Sequence, residues 1–365
     1  AARDGRTHRV RLLSRKESGG VLEFACVFDD EEAFDHVGIT DSGSMENQMV
    51  VLPVFDSAFE LLDIPLLREE DNSPGFYIAV SGDGSATWRS AAIYDSPDDV
   101  TFTQEMVLES QAILGRTTTA LASWTGGNVW DDVSAVTVSV DGELVSATSA
   151  EVIARRSTNA IIIGSEFAQY RTATLVSPGV YTLTGFLRGR RGTEWAMSTH
   201  AIGDRVVLIS NSGIRFLPLE IAELGAERFI KVATAGQTLS TLDSESITPV
   251  GVVLKPFAPV LASADRTTGD TVIDWYRRTR LSTRITGPLA WSNPLGESSE
   301  AYEVDVWADG TYTTLKRTLT SGSSQVTYLG ADQTTDFGAP QTTPYLDNYQ
   351  LSNIVGRGYR LRVAI

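Results

Sequence analysis

NAIIIGSEFAQYRTATLVSPGVYTLTGFLRG, residues 159–189, reads as three or four strands in a row. Ile, Val, Thr, Tyr and Phe dominate it, residues that fit a pleated, half-buried surface. Gly164 and Pro178-Gly179 interrupt it with the residues that tight turns require. The same pattern recurs along the chain. In VTVSVDGELVSATS (136–149), Val136, Val138 and Val140 alternate with Thr and Ser, and Asp141-Gly142 then signals a hairpin. GFYIAVSG (75–82), DRVVLIS (204–210), DTVIDWYRR (270–278) and AYEVDVWADGTYTTLKR (301–317) are further strand patterns. Short strands with turn signals between them predict an all-β fold of several antiparallel barrels or sandwiches.

Helical patterns are few. DSAFELLDIPLLREED (56–71) has helix-like spacing at Phe59, Leu62 and Leu66, but Pro65 limits it to a short helix or an extended segment. FTQEMVLESQAIL (102–114) is ambiguous between helix and strand. Residues 1–50 read as the end of an upstream β domain, closing on the loop TDSGSMENQ (40–48). Residues 51–255 form the main β body, with room for an inserted β subdomain over about 126–210. KPFAPVLASADRTTGD (255–270), with its two prolines and polar end, suits a linker. Residues 256–365 then have the length of one sandwich, with Trp275 on an early strand, Tyr302 opening a middle one and GYRLRVAI (358–365) closing it. That order fits a fibronectin type III-like module.

The chain of 365 residues has a formal charge of −16, which excludes non-specific nucleic-acid binding over its whole surface. Nothing approaches the roughly 20 apolar residues of a membrane-spanning helix, so no stable membrane insertion is expected. The start, AARDGRTHRVRLLSRKE, has neither Met nor an apolar run, and suggests a processed product or a piece of a longer polypeptide rather than a secretory signal. Cys26 is the single cysteine and excludes an intrachain disulfide; within VLEFACVF it is expected to be buried. Of 30 basic residues only Lys16, Lys231, Lys255 and Lys316 are lysines. The remaining arginines suit planar, bidentate pairing with carboxylates.

LRGRRGTEWAMSTHAIGDRVVLI (187–209) holds the densest chemistry. Arg188, Arg190 and Arg191 beside Gly189 and Gly192 invite a phosphate-site reading, but no GxxxxGK[ST] and no following helix support it. Glu194 with His200 could form an acid/base pair across six residues of loop, although a lone histidine is more often structural. His8, His36 and His200 are scattered, and GxSxG is absent. The acidic run FDDEEAFD (28–35) lacks the glycine of a calcium loop. Any pair among 46 acids could flank a glycosidic bond, so that signal carries little. Trp88, Trp124, Trp130, Trp195, Trp275, Trp291 and Trp307 are spread out as for core and interface packing. The expectation is therefore no catalytic set, no cofactor and no metal. Instead, Arg188, Arg190, Arg191, Glu194, Trp195, Arg277, Arg278 and Arg280 are the candidates for domain or protomer contacts.

A family resemblance adds to this. LLDIPLLREEDNSPGFYIAVSG (61–82), TWRSAAIYDS (87–96) and the whole run 158–209 resemble the C-terminal region of tailed-phage and gene-transfer-agent tail hub proteins, also called baseplate hub, tail tip or host-specificity proteins. DWYRRTRL (274–281), PLGESSEAYEVDVW (294–307), DFG (336–338) and YQLSNIVGRGYRLRV (349–363) resemble their fibronectin-like end. The resemblance spans residue 50 to the end. It implies a non-enzymatic virion component at the distal end of the tail, usually a homotrimer. Its implied partners are the distal tail protein, the tape-measure protein, tail fibres and a host surface receptor, and it would close the tail and take part in host attachment and genome delivery. The competing readings are a receptor-binding adhesin for host surface glycans and, third, a glycan-cleaving tail enzyme. On the leading reading, Arg190→Ala or Arg191→Ala weakens assembly or domain stability and removes no catalytic activity.

Overall fold

The computed structural model describes residues 10–28, 55–82, 88–209, 212–266, 269–281 and 294–365. The acidic run beyond Phe28, the loop 40–48, His8, His36 and Trp291 lie outside the described residues. The chain divides into two compact units, Ala1–Pro53 and Val54–Ile365. Among the described residues no helix is long and apolar enough to cross a membrane.

The first unit shows one antiparallel hairpin, Val10–Ser18 with Val21–Phe28. Gly19 and Gly20 turn it with φ of 60° and 81°, the left-handed pair of a two-residue hairpin loop. The expected burial of Cys26 is corrected here, because the thiol is exposed. Among the described residues no second layer covers either face of this two-stranded ribbon, and Val10, Leu12, Leu13, Phe24 and Val27 are exposed with it.

The second unit begins as two small stacked sheets. One has the strand order Ile214–Pro218, Gly75–Ser81, Ala58–Leu62, and the other Glu245–Ile247, Arg228–Thr234, Ala91–Ser96, Thr103–Leu108. Leu61, Phe76, Ile78, Val80 and Leu217 of the first pack on Ala91, Ile93, Leu108, Ile230 and Val232 of the second. The other face of the first sheet, with Leu62, Tyr77, Ala79 and Ile214, packs on Leu114, Ala160, Ile162 and Val207. GFYIAVS is thus buried on both faces over its whole length, which is why it reads as a continuous apolar run rather than an alternation.

Those last four residues belong to a closed barrel that leaves the sandwich after Leu108 and returns at Ile214. Its antiparallel order is Glu166–Ser177, Val180–Arg190, Trp130–Val140, Ile113–Thr117, Arg205–Leu208, Ala160–Ile163, and back to the first. Val136, Val138, Ile161, Ile163, Tyr170, Leu183 and Phe186 fill it. Ile162 faces outward to the sandwich while Ile161 and Ile163 face inward, so the triple-Ile strand is buried on both sides. Gly164 and Gly179, with φ of 59° and 73°, make the expected turns. The barrel starts at Ile113, earlier than the expected subdomain, because FTQEMVLESQAIL is two strands in different sheets. Asp141-Gly142 makes no hairpin. Trp130–Val140 pairs with Val180–Arg190 and Ile113–Thr117 instead, and Asp141 accepts from the Leu114 amide at 2.8 Å.

The C-terminal module has a three-stranded sheet, Val260–Asp265, Thr271–Tyr276, Gln325–Tyr328. Facing it is a four-stranded one, Leu315–Ser321, Tyr302–Trp307, Tyr345–Ser352, Gly356–Ala364. Among the described residues this makes seven strands in a three-plus-four antiparallel order, a fibronectin type III-like sandwich. Trp275 meets Tyr302 edge-on at 5.1 Å in its core. The expected linker 255–270 is corrected, since it contains the first strand of this module. DFG ends a short helix, Gly330–Phe337, where Asp336 accepts from Arg317 and from the Tyr328 hydroxyl, both at 2.6 Å.

Candidate functional site

The strand Val180–Arg190 carries Arg188 into the end of the barrel, where its guanidinium is fully enclosed. Glu166, the first residue of the neighbouring strand, accepts from its Nε and Nη2, each at 2.8 Å. Asp131, at the start of the strand on the other side, accepts from Nη1 at 3.1 Å. The carbonyls of Ala122 and Met197 take the two remaining N–H groups at 3.1 and 3.4 Å. A guanidinium has five donors, and all five are used. Glu166 also accepts from the Gly189 amide at 2.7 Å and lies 2.7 Å from His200 Nε2, while His200 Nδ1 lies 3.1 Å from Asp204. Carboxylate oxygens thus face both ring nitrogens of His200.

Burial pushes the Glu166 carboxyl up, but hydrogen bonds from His200, Arg188 and the Gly189 amide outweigh it and hold it below the usual carboxylate range. Asp131 is likewise lowered: burial opposes ionisation, and bonds from Ser134, the Val133 amide and Arg188 overcome it. The Arg188, Glu166 and Asp131 side chains have no exposed surface, and His200 has 1%. General acid/base chemistry needs an atom that a substrate can reach, and these groups offer none. The network is a charged core bolt.

The glycines of this stretch make room rather than a phosphate cradle. At Gly189, with φ of 57°, a Cβ would come within 2.9 Å of the Glu194 Cα and the Met197 sulfur. At Gly192 it would come within 2.5 Å of the Phe257 ring.

Beyond Arg188 the turn reaches the other modules. Arg191, also at positive φ, donates to the carbonyls of Leu66 and Leu67 and lies 5.1 Å from the Phe167 ring. Burial lowers it to about 10. Glu194 pairs with Arg278 of the C-terminal module at 2.7 Å. Trp195 stacks on Tyr359 of the last strand at 6.0 Å, and Lys255 covers the same tyrosine at 4.6 Å. Arg190 donates to Asn128 at 3.2 Å. Arg277 pairs with Glu300 at 3.2 Å; Arg280 pairs with Glu297 at 2.9 Å and donates to Asn72. Sandwich, barrel and C-terminal module therefore meet at this one turn.

The structure separates Glu194 from His200, because Glu194 points to Arg278 and His200 to Glu166 and Asp204. Arg188 is corrected from a surface contact to an internal one. Sequence reasoning missed Glu166, Asp131 and Asp204. The one available signal was Glu166 itself, an acid set inside the apolar run IIIGSEFAQY. Among the described residues no group of three or more His, Cys, Asp and Glu is placed to hold a metal.

Comparison with known proteins singles out the barrel. The family model described as Rcc01698-like, C-terminal, matches residues 112–207, which coincide with the closed barrel to within one residue at each end. That family is associated with gene-transfer agents. The match relates the chain to phage-like particles and suggests a virion-associated protein. No curated protein matches. Among solved structures, the FN1–FN3 domains of chicken CNTN1 align at 10% identity over 86% of this chain and 98% of that one, with a TM-score of 0.21. Similarity that weak carries no argument, and the fibronectin-like assignment rests on strand order.

Proposed function

We propose that this chain is a structural component of the tail tip or baseplate hub of a phage-like particle, at the distal end of the tail. There it closes the tail and takes part in host attachment and genome delivery. The observation that carries this reading is the Arg188–Trp195 stretch within the family-matched barrel. Its most reactive-looking groups are spent on internal bonds, and its remaining groups join three modules. A rigid multi-module body without an open acid/base pair at its most charged point suits a part that transmits force and holds position. In this reading the chain is not an enzyme, forms a homotrimer around the tail axis, and binds the distal tail protein, the tape-measure protein and tail fibres. A net charge of −16 would keep passing DNA from adhering.

The direct test is to fuse a gold-binding tag after Ile365 and image purified particles. Label at the tail's distal end in complete particles is the expected result. Label on the head, or none on particles, would overturn the proposal.

A further inference from the structure

Most arginines of the second unit are answered by carboxylates: Arg116 by Glu60, Arg171 by Asp132, Arg228 by Asp95, Arg317 by Asp336, Arg357 by Asp305, Arg362 by Asp347. One group is not. Arg155, Arg156 and Arg191 line a cleft of about 520 Å³ whose apolar wall is Leu66, Leu67 and Leu281; Glu69 and Glu70 line it too, both exposed, and with Arg68 and Arg280 the arginines outnumber these acids. Among the described residues, none of the three has a carboxylate within ion-pair distance. Arg191 spends its donors on two backbone carbonyls, which fix its position but leave its charge unanswered. Arg190 stands close by and donates to the neutral Asn128. Arg68 and Arg280 also line the cleft, each with its own acid, Asp71 and Glu297.

Gathering like charges is costly, and the cost is visible here. Burial and then the Arg156 charge lower both Arg190 and Arg191. In a chain with 46 acids, unanswered guanidinium groups would be expected to disperse or pair. Their convergence from two elements, the residues that follow the helix Ser149–Ala154 and the turn after the strand Val180–Arg190, instead shapes a concave cationic site. Guanidinium forks match the geometry of phosphoryl and carboxylate oxygens. The volume falls within the range of roughly 300–1,000 Å³ typical of small-molecule sites, too large for one bare ion.

We infer that this cleft binds a small ligand that presents an oxyanion, phosphoryl or carboxylate, on a body of sugar to disaccharide size, with Arg155 and Arg156 as its exposed contacts and Arg191 as its fixed one. The inference stands whether or not the chain is a tail component.

Calorimetric titration of the full chain with pyrophosphate and with digalacturonate tests it. At least one should bind, and Arg155→Ala/Arg156→Ala should weaken that binding about tenfold or more, as expected for losing charged hydrogen bonds. Arg116→Ala, outside the cleft, should leave it unchanged. Binding of pyrophosphate alone would assign a phosphoryl ligand, and binding of digalacturonate alone a sugar acid. Failure of both probes, or equal binding by the double variant, would overturn the inference. So would a change in solution mass on Arg155→Ala/Arg156→Ala with no probe bound by the wild type, which would make the cleft a contact between copies.

Discussion

Arg188 is the residue on which the account turns, because a buried charge is tolerable only when every neighbour answers it. Replacing it with Met keeps the volume but leaves Glu166 and Asp131 enclosed without their cation. Loss of about 3–5 kcal/mol is the expectation for breaking such a network, read as a shift in the urea midpoint. A midpoint within error of wild type would mean that the network contributes little. Acid should act on the same point. A carboxyl held below its usual 4.5 stabilises the fold wherever the unfolded chain is already ionised, so the Glu166 contribution is full above that value and lost as pH falls through the lower folded one. Melting temperature should therefore drop on acidification below about pH 4.5, and Glu166→Gln, although less stable at neutral pH, should show a shallower drop. Parallel pH profiles for the two proteins would contradict this assignment.

At the scale of elements, local chemistry was legible and distant pairing was not. Gly164 and Pro178-Gly179 announced their turns because positive φ or a fixed φ is a property of the residue itself. Asp141-Gly142 misled because the partners of Trp130–Val140 come from strands at 113–117 and 180–190, which no adjacent pattern reveals. The helix-or-strand ambiguity of 102–114 has a related cause: two strands of separate sheets follow one another without a strong breaker. The charged cluster was illegible for the same reason, since Arg188 finds Asp131 57 positions away and Glu166 22 away. The junction at the Arg-Gly turn allows a test at this scale. Trp195→Ala with Arg278→Ala removes a stack and an exposed ion pair, worth together about 1–2 kcal/mol. It should leave each module folded while exposing the 255–260 connection to limited proteolysis. A cleavage pattern identical to wild type would show that these contacts do not hold the C-terminal module.

For the whole molecule, the all-β reading and the C-terminal module were legible because alternation and Trp275–Tyr302 spacing survive into the final packing. The nesting of a barrel within a sandwich was only half legible, as the strand GFYIAVS gives no sign of which two layers it separates. If the chain forms the expected homotrimer, sedimentation of the purified protein should give about three times its 39.5 kDa mass, and a concentration-independent monomer would count against that assembly. The central claim is that the Arg188–Trp195 stretch holds rather than reacts. It is tested most directly by electron microscopy of particles carrying Trp195→Ala/Arg278→Ala. Particles with missing or malformed tail tips, and delivery reduced in the same proportion, are the expected result. Complete, normally shaped tail tips on particles that attach but no longer deliver would contradict it.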